Sequence, residues 1–321
     1  AVGLAVVEAH VGAQAGGARA GGGAAGGAGP RAAGGRRGVP SLRQCWRSVG
    51  RTPWRGAFDA NDNSAAGTER TRLALSAVGV SVIEVESRRN GPWRVKAGSR
   101  YNKRYSGNTL FRVSGPAAAV VGASVVGTLN NCASGMTPWG TYLTCEETTS
   151  NYLDPTQGAL GYGWVVEIDP YGELANMPVK RTALGRFDHE NTAYLMAGNG
   201  RVAIYMGDDS TPGCIYKFVP SAKVRRGRRA ANADLLDHGT LYAARFNADG
   251  SGQWIELTQG INGLVAGAVD PGNVTQGPQT PAVVDFLTQA DVLIDTKAAA
   301  RVAGATLIGR LSPRPLSKAD L

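Results

Sequence analysis

Long apolar runs are missing from this 321-residue chain. No window reaches about 18 consecutive apolar residues, so no membrane-spanning helix is expected. Histidine is scarce, at 3 residues, and the four cysteines (Cys45, Cys132, Cys145, Cys214) contain no C-x-x-C pair. That spacing argues against a structural zinc site, and a disulfide pairing cannot be read from it. Negative charge is short at the front only. Residues 1–105 hold 17 Lys/Arg against 6 Asp/Glu, while 106–321 hold 17 against 19. The net +9 therefore belongs to the front and to one run, "KVRRGRRA" (223–230). That run has no interleaved aromatics and the chain carries no nucleic-acid-binding motif, so nucleic acid is not an expected partner. Export signals are also lacking. Residues 1–38 are Ala/Gly-rich with scattered arginines, and the Arg36–Arg37 pair is followed by "GVPSLRQCW", too polar for an apolar export segment. Residues 1–70 read as a low-complexity basic head, disordered or not native to the domain that follows.

What the chain has instead is glycine and short β-forming runs, with 45 Gly and 16 Pro. From residue 78 onward "VGVSVIEVES" alternates like a strand. "SVVGTLNN", "TYLTCEE", "YGWVVEIDP", "RVAIYMGDDS", "CIYKFVP", "GTLYAARF" and "WIELT" follow, each closed by Gly, Asp, Asn or Pro. Asp249-Gly250 predicts a hairpin turn. Helical periodicity is scarce, and its main candidate is 280–305, with a short helix expected around Thr288–Ala303. The pattern predicts an all-β sandwich, barrel or propeller. Two strand–turn–strand phrases, "GWVVEIDPYGEL" and "LYAARFNADGSGQW", favour the propeller.

Four polar clusters fall at strand ends: Asn130-Asn131, Cys145-Glu146-Glu147, Asp188-His189-Glu190 and Asp208-Asp209. Carboxylates brought together raise one another's pKa unless a cation neutralises them. Oxygen donors suit calcium, and a thiolate or imidazole adds affinity for iron. Each cluster alone is ordinarily a solvated turn, and a lone cysteine is ordinarily a small buried apolar group.

The phrases "NNCASGMTPWGTYLTCEE" (130–147), "YGWVVEIDP", "TALGRFDHEN", "VAIYMGDD", "IYKFV", "LLDHGTLYAARFNADGSGQWIEL" and "FLTQADVLIDTKAAARVAGAT" occur in an order that resembles the PhoX-type alkaline phosphatases over roughly residues 70–306. The resemblance implies a six-bladed β-propeller exported through the twin-arginine route to the periplasm or cell exterior. It also implies hydrolysis of phosphate monoesters at a calcium and iron centre. It points to Cys145 as an iron ligand and Glu190 as a metal ligand, with Glu146, Glu147, Asp208 and Asp209 at the same mouth. No catalytic or substrate-binding residue is assigned.

The chain departs from the family pattern in three places: "AVVGAS" after "GPAA" is shorter than the family's segment there, and two phrases are replaced. "FDANDNSAAGTE" (58–69) stands where the family has an Asn-His-Glu phrase, and "LIGRLSPRPLSKADL" (307–321) stands where a Met-Asp-Arg-Pro-Glu-Trp phrase should begin. The expectation is an incomplete propeller over 71–306 with a foreign tail at 307–321, inactive as it stands. The rival expectations are a non-catalytic calcium-binding propeller and an interaction protein with a basic front.

Overall fold

The β-branched runs form strands, and the glycines and prolines between them form the turns. The computed structural model describes residues 2–9, 65–87, 91–154, 158–174, 177–272 and 281–309. Most of the basic head and of the 307–321 tail therefore lies outside the described residues. The front nonetheless contributes a strand: β1 (Val2–Ala9) pairs antiparallel with β2 (Gly79–Glu86) along its whole length. Helix α1 (Ala65–Ala77) leads into β2. Two short strands, β3 (Arg94–Val95) and β4 (Lys103–Tyr105), also pair with β2. Alternation in β2 turns Val80 and Val82 inward, both fully buried.

A second sheet holds six strands. These are β5 (Leu110–Ser114), β6 (Ser124–Val126), β7 (Asn131–Met136), β8 (Tyr142–Glu146), β9 (Val165–Ile168) and β10 (Val179–Arg181). Their order is β6-β5-β10-β9-β8-β7, so β7 is an edge. Short helix α2 (Ala118–Val121) links β5 to β6. The third sheet is an antiparallel meander in sequence order: β11 (His189–Met196), β12 (Val202–Asp208), β13 (Ile215–Pro220), β14 (Gly239–Phe246) and β15 (Gly252–Glu256). The β14–β15 turn is the expected hairpin, with Gly250 at φ 83°. A two-stranded ribbon, β16 (Ala268–Asp270) with β17 (Ala282–Val284), completes the strands. Among the described residues the fold is all-β with few helices, and no sheet closes on itself.

The single helix expected over 288–303 is two, α3 (Gln289–Ile294) and α4 (Thr296–Val302). Thr288 and Asp291 form a capping box that starts α3. The break falls at Asp295, which leaves helical geometry at φ −102°, ψ 41°. Thr296 follows it, its hydroxyl donating back to Leu293 O at 2.8 Å while accepting from Arg186 N at 3.1 Å. That side-chain bond offers the backbone an alternative to the helical ladder. The two helices pack with the second and third sheets on one apolar core that includes Leu143, Val165, Phe187, Ile204, Tyr216, Phe218 and Phe286. Burying each such side chain is worth roughly 1.5–3 kcal/mol.

The edge strands β7 and β11 of these two sheets run against each other. They come very close at Gly135, where a Cβ would stand 2.1 Å from Thr192 Oγ1 and 2.3 Å from Thr192 O. Only glycine permits that spacing, and it brings the beginnings of both strands together.

Candidate metal centre

Cys132 enters from the start of β7, Glu190 from the start of β11, and Glu147 from the residue after β8. Glu147 is held there by its own backbone N–H, which donates to Asn130 O at 3.0 Å, and by Asn130 Nδ2, which donates to Glu147 O at 2.7 Å. Asn130 takes the left-handed conformation this turn requires, φ 51°, which asparagine tolerates. Cys132, Glu147 and Glu190 thus present one sulfur and two carboxylates whose ligand atoms all lie within 4.8 Å of one another. Cys132 Sγ stands 3.6 Å from Glu190 Oε2. The Asp209 carboxyl reaches Glu147 from the loop after β12.

The electrostatics are those of a cation site. Burial, then the neighbouring Asp209 and Glu190, push Glu147 up to about 7. Burial and the two glutamates drive the Cys132 thiol far above its usual range. Beside them, burial and the Glu147 charge push Tyr152 up to about 12, and its buried hydroxyl has no hydrogen-bond partner among the described residues. Crowded acidic donors beside an unsatisfied buried hydroxyl are what a bound metal ion would relieve. The residues therefore fit a metal. Two carboxylates offer hard oxygens, and the thiol, deprotonated on binding, adds a soft donor.

The residues expected from the sequence are only partly gathered here. Glu147, Glu190 and Asp209 come together. Glu146, its neighbour, does not: it is fully buried and takes Lys180 Nζ at 2.7 Å, Thr128 Oγ1 at 2.8 Å, and the N–H groups of Gly163 and Trp164, both at 3.1 Å. Cys145 sits within the β8 ladder opposite Val165, fully buried and outside the group. The thiol in the group is Cys132, whose sequence signal was its place directly after the flagged Asn130-Asn131 strand end. Asp208 is buried at the end of β12, where burial raises it to about 6 and its carboxylate accepts from Ser210 N at 3.0 Å. Asp188 is engaged by Lys297 Nζ and Ser210 Oγ, both at 2.8 Å; burial would raise its pKa, but these partners bring it below the ordinary range. His189 is a core residue. Burial lowers it to about 4, its Nε2 bonds Gly185 O, and its ring lies 3.6 Å from that of Phe187.

A comparison with protein families matches residues 49–314 to the family described as "Alkaline phosphatase PhoX". A solved structure, "Pseudomonas fluorescens PhoX in complex with vanadate, a transition state analogue", is 42% identical with a TM-score of 0.63. The match covers 75% of this chain and 48% of that one, so the chain spans about half the length of that relative. A search of curated proteins returned no match.

Proposed function

The chain belongs to the alkaline phosphatase PhoX family, and on that premise we propose that it hydrolyses phosphate monoesters at a calcium and iron centre built on Cys132, Glu147 and Glu190. The observation that carries this reading is the convergence of those three donors within 4.8 Å, Cys132 and Glu190 from the facing edge strands β7 and β11 and Glu147 from the residue after β8. When bound, such cations supply positive charge to phosphoryl oxygens and to an oxygen nucleophile.

The chain's own residues prepare the place. The β7–β11 contact carries Cys132 beside Glu190, Asp209 extends the acidic side, and the Tyr152 hydroxyl feels the Glu147 charge and has no partner among the described residues. Glu146 and Asp188 are neutralised by Lys180 and Lys297, so neither competes for the cation. In this reading the second and third sheets are neighbouring blades of a six-bladed β-propeller, the family pattern, and the protein works outside the cytoplasm.

One observation favours a second reading, a calcium-binding domain without hydrolysis. Lys297, which engages Asp188, and Arg186, which engages the carbonyls of Tyr162, Thr149 and Ala159, are both committed within the fold. Elemental analysis together with turnover of p-nitrophenyl phosphate separates the two. We expect iron, calcium and hydrolysis in the parent, and loss of all three in Cys132→Ser/Glu190→Gln. Metal without turnover selects the second reading, and a parent free of both metals overturns both.

A further inference from the structure

The arginine run that no function absorbed folds against the far end of the strands that carry the metal centre. The turn between β7 and β8 carries Pro138 and Trp139, β11 ends at Met196, and the segment from Val224 to Asn232 lies across them. Between these parts lies a pocket of about 650 Å³, within the span of small-molecule sites, roughly 300–1,000 Å³. Pro138, Trp139, Met196 and Val224 make an apolar wall, and Arg225 and Arg226 stand at its rim.

The pocket's frame is held in place. Asn232, 1% exposed, accepts from Arg225 N at 2.8 Å and donates to the carbonyls of Arg225 and Arg228 at 3.1 Å. Val224 N donates to Gly200 O at 2.8 Å. Trp139 Nε1 donates to Glu167 at 3.0 Å, which fixes the indole. Arg229 is spent on Asp169, Glu173 and the Trp139 carbonyl. Arg225 and Arg226 are not spent: both are exposed, and neither guanidinium has an ion pair or hydrogen bond among the described residues.

Two uncompensated guanidiniums over a fixed apolar wall specify a ligand with an anionic head and an apolar body. Guanidinium forks match phosphate oxygens in pairs, and a phosphate dianion balances two of them. We propose that this pocket binds a small organic phosphate, its phosphoryl group on Arg225 and Arg226 and its apolar body against Trp139 and Met196. Glu190 and Met196 are six positions apart along β11, roughly 20 Å at strand rise. A ligand here is therefore remote from the metal centre.

The test is titration calorimetry with 1-naphthylphosphonate, which is not a hydrolysable ester. The host is the full chain carrying Cys132→Ser/Glu190→Gln, so the metal centre does not compete. We expect saturable binding that is tighter than that of inorganic phosphate and weakened about tenfold or more by adding Arg225→Gln/Arg226→Gln, the loss of roughly one charged contact. Both arginines are exposed, so an unchanged melting temperature is expected. Should it fall, Met196→Glu, which sets a carboxylate on the apolar wall, must weaken binding alike. Three results overturn the proposal: naphthylphosphonate binding indifferent to the arginines, inorganic phosphate binding equally well, or a glutamate-rich peptide binding where the phosphonate does not.

Discussion

Lys180→Met should be among the most destabilising single changes in this protein. Lys180 is fully buried; its ammonium donates to Glu146 Oε1 at 2.7 Å and to Gly161 O at 2.6 Å, and lies 4.5 Å from the centroid of the Tyr162 ring. Methionine keeps the volume and the unbranched stem but removes the charge. Glu146 would then keep three neutral donors and no hydrogen-bonded cation, at 0% side-chain exposure. Breaking a buried pair by removing one partner costs about 3–5 kcal/mol, because the remaining charge is buried uncompensated. The three surviving donors place the expected cost near the lower end, about 3 kcal/mol. For a chain this large that corresponds to a fall in melting temperature of roughly 4–5 °C. Urea denaturation followed by far-UV circular dichroism measures it, and the double variant Lys180→Met/Glu146→Gln supplies the control. Removing both charges should recover part of the loss, a coupling of at least about 1 kcal/mol. If Lys180→Met lies within about 1 kcal/mol of the parent, or the two single losses simply add, the buried pair is not what holds Glu146, and with it Glu147, in place.

Three further outcomes follow from the same geometry. Gly135→Ala would force Cβ into Thr192, so it should destabilise by about 1–3 kcal/mol and lower metal content with it, read by chemical denaturation and elemental analysis; a neutral result would mean that β7 and β11 are not clamped there. Cys145→Ser should leave iron binding intact while Cys132→Ser abolishes it, and the reverse pattern in elemental analysis would move the thiol ligand to Cys145. Asp270 is half of an ion pair with Arg301, which donates at 2.8 and 2.6 Å. Burial works to raise its pKa, but Arg301 and the Gly272 N–H outweigh burial, and the folded value is lowered. Its contribution is therefore complete above the unfolded value of roughly 3.9 and lost as pH falls through the lower folded one. Arg301→Gln should flatten that acid limb of the stability–pH curve, and an unchanged limb would refute the assignment.

Much of the architecture was written in local chemistry. Period-two alternation marked β2, Asp249-Gly250 marked the β14–β15 hairpin, and helical periodicity marked a helix beginning near Thr288. These signals are short-range, so a linear reading captures them. The long phrases from Asn130 to Thr306 carried the family likeness, and Glu147, Glu190 and Asp209 stood out as strand-end acids.

What the chain alone did not decide was which of these side chains meet. The family phrases pointed to Cys145 as the iron thiol and assigned Cys132 nothing, and Glu146 and Glu147 read as equal members of an acidic pair. The fold separates them. Register sets Cys145 inside the β8–β9 ladder, Lys180 arrives from β10 to claim Glu146, and the β7–β11 contact carries Cys132 to Glu190, 58 positions away. The break at Asp295 likewise depended on Arg186, more than a hundred residues earlier, donating to Thr296. Residue types and their periodicity fix which elements form. Partners contributed by distant strands fix which charges are neutralised by the chain itself and which are left for a cation.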